Sequence, residues 1–215
     1  MTQEEFVLAL EDLGLKATPN QLSQLEKFYQ FLIETNKTMN LTRIVEKKDV
    51  YLKHFYDSLT IAKICDLKEY HTLCDIGSGA GFPGVVLKIF YPNLKITLID
   101  SLQKRVNYLN ELIEKLELKD IIAYHIRAED LALKKEKFDV VTARAVASLP
   151  KLLSIAMPLV NKNGIFVAMK GNVEEELEKS KKVLTDKHYK LVKKEQFLLP
   201  IENSQRSLLL FIMNK

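Results

Sequence analysis

The stretch Cys74-Asp75-Ile76-Gly77-Ser78-Gly79-Ala80-Gly81-Phe82-Pro83-Gly84 joins one apolar run to another through three closely spaced glycines. Residues 71–76 read as a buried strand, 85–91 as an apolar helix and 96–99 as a second strand closed by Asp100. This is a βαβ unit with one acid near its entrance, Asp75, and another at its second tip, Asp100. Glycines at 77, 79 and 81 let the backbone approach a ligand at φ values other residues avoid. An acid roughly 20 residues on can accept hydrogen bonds from ribose hydroxyls. The unit predicts a cradle for a ribose-bearing cofactor at the mouth of an α/β sheet, with Asp75, Gly77, Gly79 and Asp100 as its residues.

One position decides between cofactors. The dinucleotide fingerprint G-x-G-x-x-G, counted from Gly77, requires a third glycine at 82, where helix and strand pack closest, and this chain has Phe82 there. That argues against NAD. The spacing acid-x-Gly-x-Gly-x-Gly, followed by an acid at the end of the next strand, is similar to the first motifs of S-adenosylmethionine-dependent methyltransferases, whose cofactor has no pyrophosphate to hold.

With 215 residues the chain exceeds the size of a minimal domain and can carry an extra module beside one full core. Its 47% apolar content is that of a globular protein. No run approaches the roughly 20 uncharged apolar residues of a membrane span. The N-terminus carries Glu4, Glu5, Glu11 and Asp12 instead of a basic signal head. These features read as a cytoplasmic protein with no membrane partner. Cys65 and Cys74 are too few for a disulfide framework and lack metal-ligand spacing, so no metal is expected. The net charge of +4 is concentrated in residues 61–170, with 16 Lys/Arg against 12 Asp/Glu. Lysine-rich faces are commonly just solvated, and charge alone does not establish a nucleic-acid partner.

The order of elements separates a helical head, residues 1–66, from a catalytic body, residues 67–215. Thr2 with Glu5 forms a capping box and Gly14 a stop. Thr18-Pro19-Asn20-Gln21 opens a second helix whose stripe is Leu22, Leu25, Tyr29 and Leu32. Helical periodicity continues over 49–56 and 58–64. From residue 71 strands and helices alternate, with strands expected near 71–76, 95–100, 121–126, 138–143 and 164–170, paired in parallel. Residues 189–199 and 207–213 are separated by too few residues for a crossover helix and should pair antiparallel. Five parallel strands closed by an antiparallel hairpin make a Rossmann-like, seven-stranded sheet, the layout of the class I S-adenosylmethionine-dependent methyltransferase fold.

In such a sheet chemistry gathers at the carboxyl ends of the strands. Arg144 is delivered there by the fourth strand, where its guanidinium can hold a phosphate, a carboxylate or a flat base. Ala128-Glu129, after the third strand, could present an amide and a carboxylate to an adenine, with surface helix capping as the competing role. Lys170-Gly171 follows the fifth strand. His54 and Asp57 lie three apart, with helix capping or contact with a pocket or RNA as the open alternatives. The chain lacks an Asn/Asp-Pro-Pro-aromatic turn for amine methylation and a suitably placed cysteine for attack at pyrimidine carbon 5. A ring nitrogen with a free lone pair, such as guanine N7, needs only alignment and desolvation. This chemistry permits N7 without selecting it.

The segments Asn40-Leu41-Thr42, His54-Phe55-Tyr56-Asp57-Ser58-Leu59, 75–87, Asp100-Ser101, Arg127-Ala128-Glu129, Thr142-Ala143-Arg144-Ala145, Lys170-Gly171 and Gln205-Arg206-Ser207 occur in the order seen in the RsmG family, also called GidB. The chain resembles that family over nearly its whole length. The resemblance implies transfer of a methyl group from S-adenosylmethionine to N7 of a guanine in bacterial 16S ribosomal RNA near the decoding site, with that RNA or the small ribosomal subunit as partner. It further implies a cofactor pocket lined by Gly77, Phe82, Ala128, Glu129 and Arg144, with Asp100 on the ribose. Arg144 is then expected to position the target with no general base. Lys170 and Arg206, with Arg144, are the candidates for holding RNA. A methyltransferase for a small metabolite, with the head as a lid, is the competing reading.

Overall fold

The computed structural model describes residues 1–214. Its centre is a seven-stranded sheet in the order β3-β2-β1-β4-β5-β7-β6. The strands are β1 (Thr72–Ile76), β2 (Lys95–Asp100), β3 (Ile121–His125), β4 (Phe138–Arg144), β5 (Val160–Lys170), β6 (Tyr189–Leu198) and β7 (Gln205–Met213). The first five are parallel to one another, while β7 runs antiparallel to both β5 and β6, the topology expected of the class I methyltransferase fold. From β1 the chain winds outward through β2 to β3 and then returns to β1's other side with β4. The loops after β1 and β4 therefore diverge and leave a crevice above the carboxyl edge.

Strand boundaries depart from the sequence reading mainly at β5, which begins at Val160 rather than near residue 164. Val160 pairs with Phe138, after which the register shifts before Val140 pairs with Ile165. A Cβ on Gly164 would lie 2.6 Å from the Asp139 carbonyl oxygen, so the irregular stretch brings two backbones together at a glycine. Polar Asn161, Lys162 and Asn163 precede it and hide the strand signal from periodicity.

The head contains α1 (Gln3–Ala9) and α2 (Pro19–Met39), both opened by the expected capping boxes. A helical run follows, passing from α3 (Lys47–Val50) through a π-helical turn at Tyr51–Tyr56 into α4 (Asp57–Leu59) and a 3-10 turn at Thr60–Lys63. Asn40 ends α2 in the left-handed conformation at φ 51°, a role Asn tolerates better than most residues. Over the sheet lie α5 (Gly84–Phe90), α6 (Gln103–Lys115), α7 (Ala128–Leu133), α8 (Leu149–Ala156) and α9 (Glu174–Asp186).

Two apolar cores lie on opposite sheet faces. One joins Leu131, Leu149, Leu152, Leu153 and Phe166 under α7 and α8. The other runs without a break from the head, through Phe6, Leu10, Leu25, Phe28 and Phe55, into Phe82, Val85 and Phe90. Each such side chain contributes roughly 1.5–3 kcal/mol on burial, so head and sheet are held by a shared core. Gln21 and Gln24 add two cross-links, donating to the carbonyls of Ile89 at 2.9 Å and Leu116 at 2.8 Å.

Candidate active site

The glycine turn after β1 is stitched to the tip of β2. Gly77 N–H and Ser78 N–H both donate to the Ile99 carbonyl, at 2.8 and 3.1 Å. Gly79 N–H donates to Asp100 Oδ2 and Leu102 N–H to Oδ1, each at 3.0 Å, while Arg105 Nη1 stands 3.6 Å away. The Asp100 carboxylate is therefore fixed at the mouth of the turn with lone pairs left over. Gly77 has φ +67°, a conformation in which a side chain would be strained.

Asp75 lies elsewhere than the sequence reading set it. It is fully buried behind the turn, accepting from Gly84 N–H at 2.9 Å, and lines neither of the cavities described below. Burial pushes its carboxyl up to about 7, against the opposing hydrogen bond from Gly84 N–H. Its Oδ1 has no hydrogen-bond partner among the described residues. Gly84 is required for this contact, because a Cβ there would meet Leu98 Cδ2 at 2.3 Å and Asp75 Oδ2 at 2.7 Å. A period-two strand pattern cannot tell an acid aimed at a ligand from one aimed at the helix behind it.

Two cavities flank the turn that follows β4. The first, of about 190 Å³, is lined by Gly77, Asp100, Ala128, Glu129, Val146 and Ile155 among others. It joins two carboxylates, Asp100 and Glu129, and two cations, Arg127 and Lys151, to apolar walls. The second, of about 350 Å³, is lined by Lys53, Asp57, Arg144, Lys170, Arg206 and Ser207 among others. It is dominated by cations. Ala145 faces the second cavity and Val146 and Ala147 the first, so the turn is their common wall. Ala145 sits at φ 57°, left-handed for a residue with a Cβ. Val146 lies close over Gly77, where a Cβ would come within 2.7 Å of Val146 Cγ2.

Arg144 is held almost entirely by the head. Its Nη1 donates to the Lys53 carbonyl at 2.9 Å and to Asp57 Oδ2 at 3.0 Å, and its Nη2 donates to His54 Nδ1 at 3.2 Å. The guanidinium also lies 5.3 Å from the centre of the Phe82 ring. Because arginine only donates, His54 Nδ1 must accept, which leaves the proton on Nε2 facing Thr42 Oγ1 at 3.0 Å. Burial, and then the Arg144 charge, lower the His54 pKa to about 3, so the imidazole is neutral at physiological pH. The π-helical turn offers both the Lys53 carbonyl and His54 to one guanidinium, the kind of local irregularity found at functional sites.

Asp57 carries a second arginine. Its Oδ1 accepts from Arg206 Nε at 3.0 Å, while Arg206 Nη1 donates to Ser204 Oγ and the Gln205 carbonyl. One buried carboxylate thus orients Arg144 from β4 and Arg206 from β7. The sequence reading left Asp57 between helix capping and pocket contact. Its spacing from His54, three residues on a helix, was the available signal that both face one partner.

The remaining sequence candidates fall into separate places. Ala128 and Glu129 line the first cavity at the start of α7. Phe82 lines neither cavity. It is buried beneath Arg144, stacked on His54 at 4.3 Å and on Phe28 at 5.0 Å. Lys170 borders the second cavity, but its ammonium donates to the Ala147 carbonyl at 2.6 Å and pairs with Glu176 at 2.8 Å. Lys170 is consequently a strut for the dividing turn. Cys65 and Cys74 border neither cavity, and burial pushes the Cys65 thiol up to about 12. Among the described residues no group of three or more His, Cys, Asp or Glu could hold a metal, and no helix is long and apolar enough to cross a membrane.

Comparison with known proteins gives this geometry a family. Among solved structures, the sheet resembles a ribosomal protein L11 methylase from Lactobacillus delbrueckii subsp. bulgaricus, with TM-score 0.57 and 17% identity over 79% of this chain and 81% of that one. It also resembles M. jannaschii TYW2 in complex with AdoMet, with TM-score 0.60 and 17% identity over 80% and 79%. Both likenesses concern the fold. In sequence, the chain is 47% identical to the ribosomal RNA small subunit methyltransferase G of Bacillus pumilus over 100% of this chain and 92% of that protein. It is 46% identical to the protein of the same name from Bacillus subtilis over 97% and 89%. The profile of GidB, rRNA small subunit methyltransferase G, matches residues 21–208, and the chain belongs to that family.

Proposed function

We propose that this protein transfers a methyl group from S-adenosylmethionine to N7 of a guanine in 16S ribosomal RNA near the decoding site, in the cytoplasm and with the RNA or the small ribosomal subunit as partner. The observation that carries the reading is the pair of cavities adjoining at the turn after β4, carboxylate-bearing beside the glycine turn and cationic beside the head. The first cavity suits the nucleoside part of the methyl donor. Asp100 and Glu129 supply acceptors for hydroxyl or amino groups, Ala128 its backbone, and Ile76, Ile99, Ile126 and Val146 an apolar surface for a base. When bound, S-adenosylmethionine supplies a sulfonium methyl open to direct displacement.

The chain's own residues hold and orient. Guanine N7 carries a lone pair and no proton, so attack requires alignment and exclusion of water without a base. His54 fits that requirement, since both its nitrogens are occupied by Arg144 and Thr42 and neither is free to accept a substrate proton. Arg144 and Arg206 keep donors beyond those used within the protein, available to phosphate or base oxygens. Extracting a base from its stack costs about a few kcal/mol, which contacts of this type repay.

The test supplies labelled cofactor together with purified small subunits, naked 16S RNA and a total metabolite extract, then cleaves the RNA chemically at N7-methylguanosine. Label confined to one cleavable guanine supports the reading. Label in metabolites alone would establish the small-molecule alternative in its place.

A further inference from the structure

We infer that Asp57 reads the Watson–Crick edge of the target base and so makes the enzyme specific for guanine, an inference that rests on the function proposed above. A guanine entering the arginine cavity offers one acceptor, O6, beside two donor groups, N1–H and the 2-amino group. The cavity wall presents the complement. Arg144 and Arg206 are donors, and Asp57 stands between them as the one carboxylate among its described lining residues. The side chain of Asp57 is 7% exposed.

Capacity and charge agree with this pairing. A carboxylate has about four lone-pair directions. Within the protein Asp57 accepts one bond on Oδ1, from Arg206, and one on Oδ2, from Arg144. Each oxygen retains a site for a base N–H. Adenine would set its amino group against the guanidinium and an unprotonated N1 against the carboxylate, leaving buried groups on both sides without partners.

The same arrangement favours the methylated edge. O6 adjoins N7 on the purine, so an O6 contact with Arg144 turns N7 toward the side of the cavity formed by the β4 turn, beyond which lies the glycine-loop cavity. As the N7 lone pair becomes the new N7–methyl bond, the methyl–sulfur bonding pair would stay on sulfur, which leaves as a neutral thioether, and the positive charge passes into the purine. N1–H becomes more acidic and its hydrogen bond to Asp57 strengthens, an interaction gained in the transition state.

The experiment uses small subunits reconstituted from 16S RNA ligated around a synthetic segment, with either guanine or hypoxanthine at the methylated position. Hypoxanthine keeps O6, N1–H and N7 and lacks only the 2-amino group. The wild-type protein should methylate guanine about 10-fold or more faster in single turnover. Asp57→Asn should slow the guanine substrate on the order of 100-fold and bring the two substrates to nearly equal rates. Cofactor affinity measured by calorimetry should be retained, because Asp57 lies outside the glycine-loop cavity. Equal wild-type rates on the two bases would overturn the inference while leaving RNA methylation standing, and this comparison needs no variant to fold. An Asp57→Asn protein that slows both substrates alike and keeps the wild-type preference would reduce Asp57 to a strut. Wild-type protein that labels neither substrate would remove the functional reading, and the inference with it.

Discussion

The two cavities sit a single turn apart and are built in opposite ways. The glycine-loop cavity is made from the ends of successive parallel strands, with Gly77, Asp100, Ala128-Glu129 and Val146 following β1, β2, β3 and β4 in turn. The arginine cavity is assembled from distant pieces, since Asp57 and Arg206 are 149 residues apart and Lys53 and Arg144 are 91 apart. Strand-end placement alone assembles the first cavity. The second also needs Lys53, His54 and Asp57, which only docking of the head brings to the sheet edge.

The contrast is broken most severely at Arg144. Arg144→Ala removes three hydrogen bonds to the head and the stack over Phe82. Turnover on small subunits should fall on the order of 100-fold or more, as misplacement by about 1 Å can produce, with a near-native circular dichroism spectrum. Unchanged turnover would take Arg144 out of the site. On the other side of the wall, Asp100→Ala should weaken cofactor binding roughly 10- to 100-fold, the worth of charge-assisted hydrogen bonds, and free the Gly79 amide. Titration calorimetry measures it.

Stability sharpens the comparison further. Gly84→Ala forces a Cβ against Leu98 and Asp75 and should cost about 1–3 kcal/mol in denaturant unfolding. The pH dependence is smaller and two-sided. Asp75 has a folded pKa of about 7 against an ordinary 3.8, so the folded state binds the extra proton between these values, and its contribution is present at low pH and lost as pH rises toward 7. His54 runs the other way. Its folded pKa of about 3 against 6.5 makes its contribution full above 6.5 and lost as pH falls toward 3. Between about 4 and 6.5 the two slopes oppose. Melting curves of Asp75→Asn should therefore show stability rising with pH across that window, and those of His54→Gln should show it falling. Parallel curves for both variants would contradict these assignments. The smallest effect is expected at Lys170, whose ammonium is occupied by Glu176 and the Ala147 carbonyl. Lys170→Met should leave the salt dependence of RNA binding nearly unchanged, whereas Arg206→Met should reduce its slope by about 1.

Much of the fold was legible because each cue acts over a few residues. The capping boxes at Thr2 and Thr18, the Gly14 stop and the hairpin near the end of the chain depend on neighbours in sequence. The start of β5 was not, because Asn161, Lys162 and Asn163 are polar and their strand conformation comes from pairing with β4. Within the site, the glycine turn and Asp100 carried their own signature. The orientations of Asp75, Phe82 and Lys170 did not, since each points to a partner that sequence spacing does not specify: the Gly84 amide, the His54 ring and the Glu176 carboxylate.

By itself the sequence determined the alternation of strands and helices, the glycine turn and the acids that close it, because hydrophobic period, capping and backbone freedom are properties of short segments. Tertiary structure decided which charges meet. Asp57 lies between Arg144 and Arg206 only after the head has docked through Phe28, Phe55 and Phe82 onto the sheet. Ion pairs are fixed by distances of a few ångströms, and packing, not order along the chain, sets those distances.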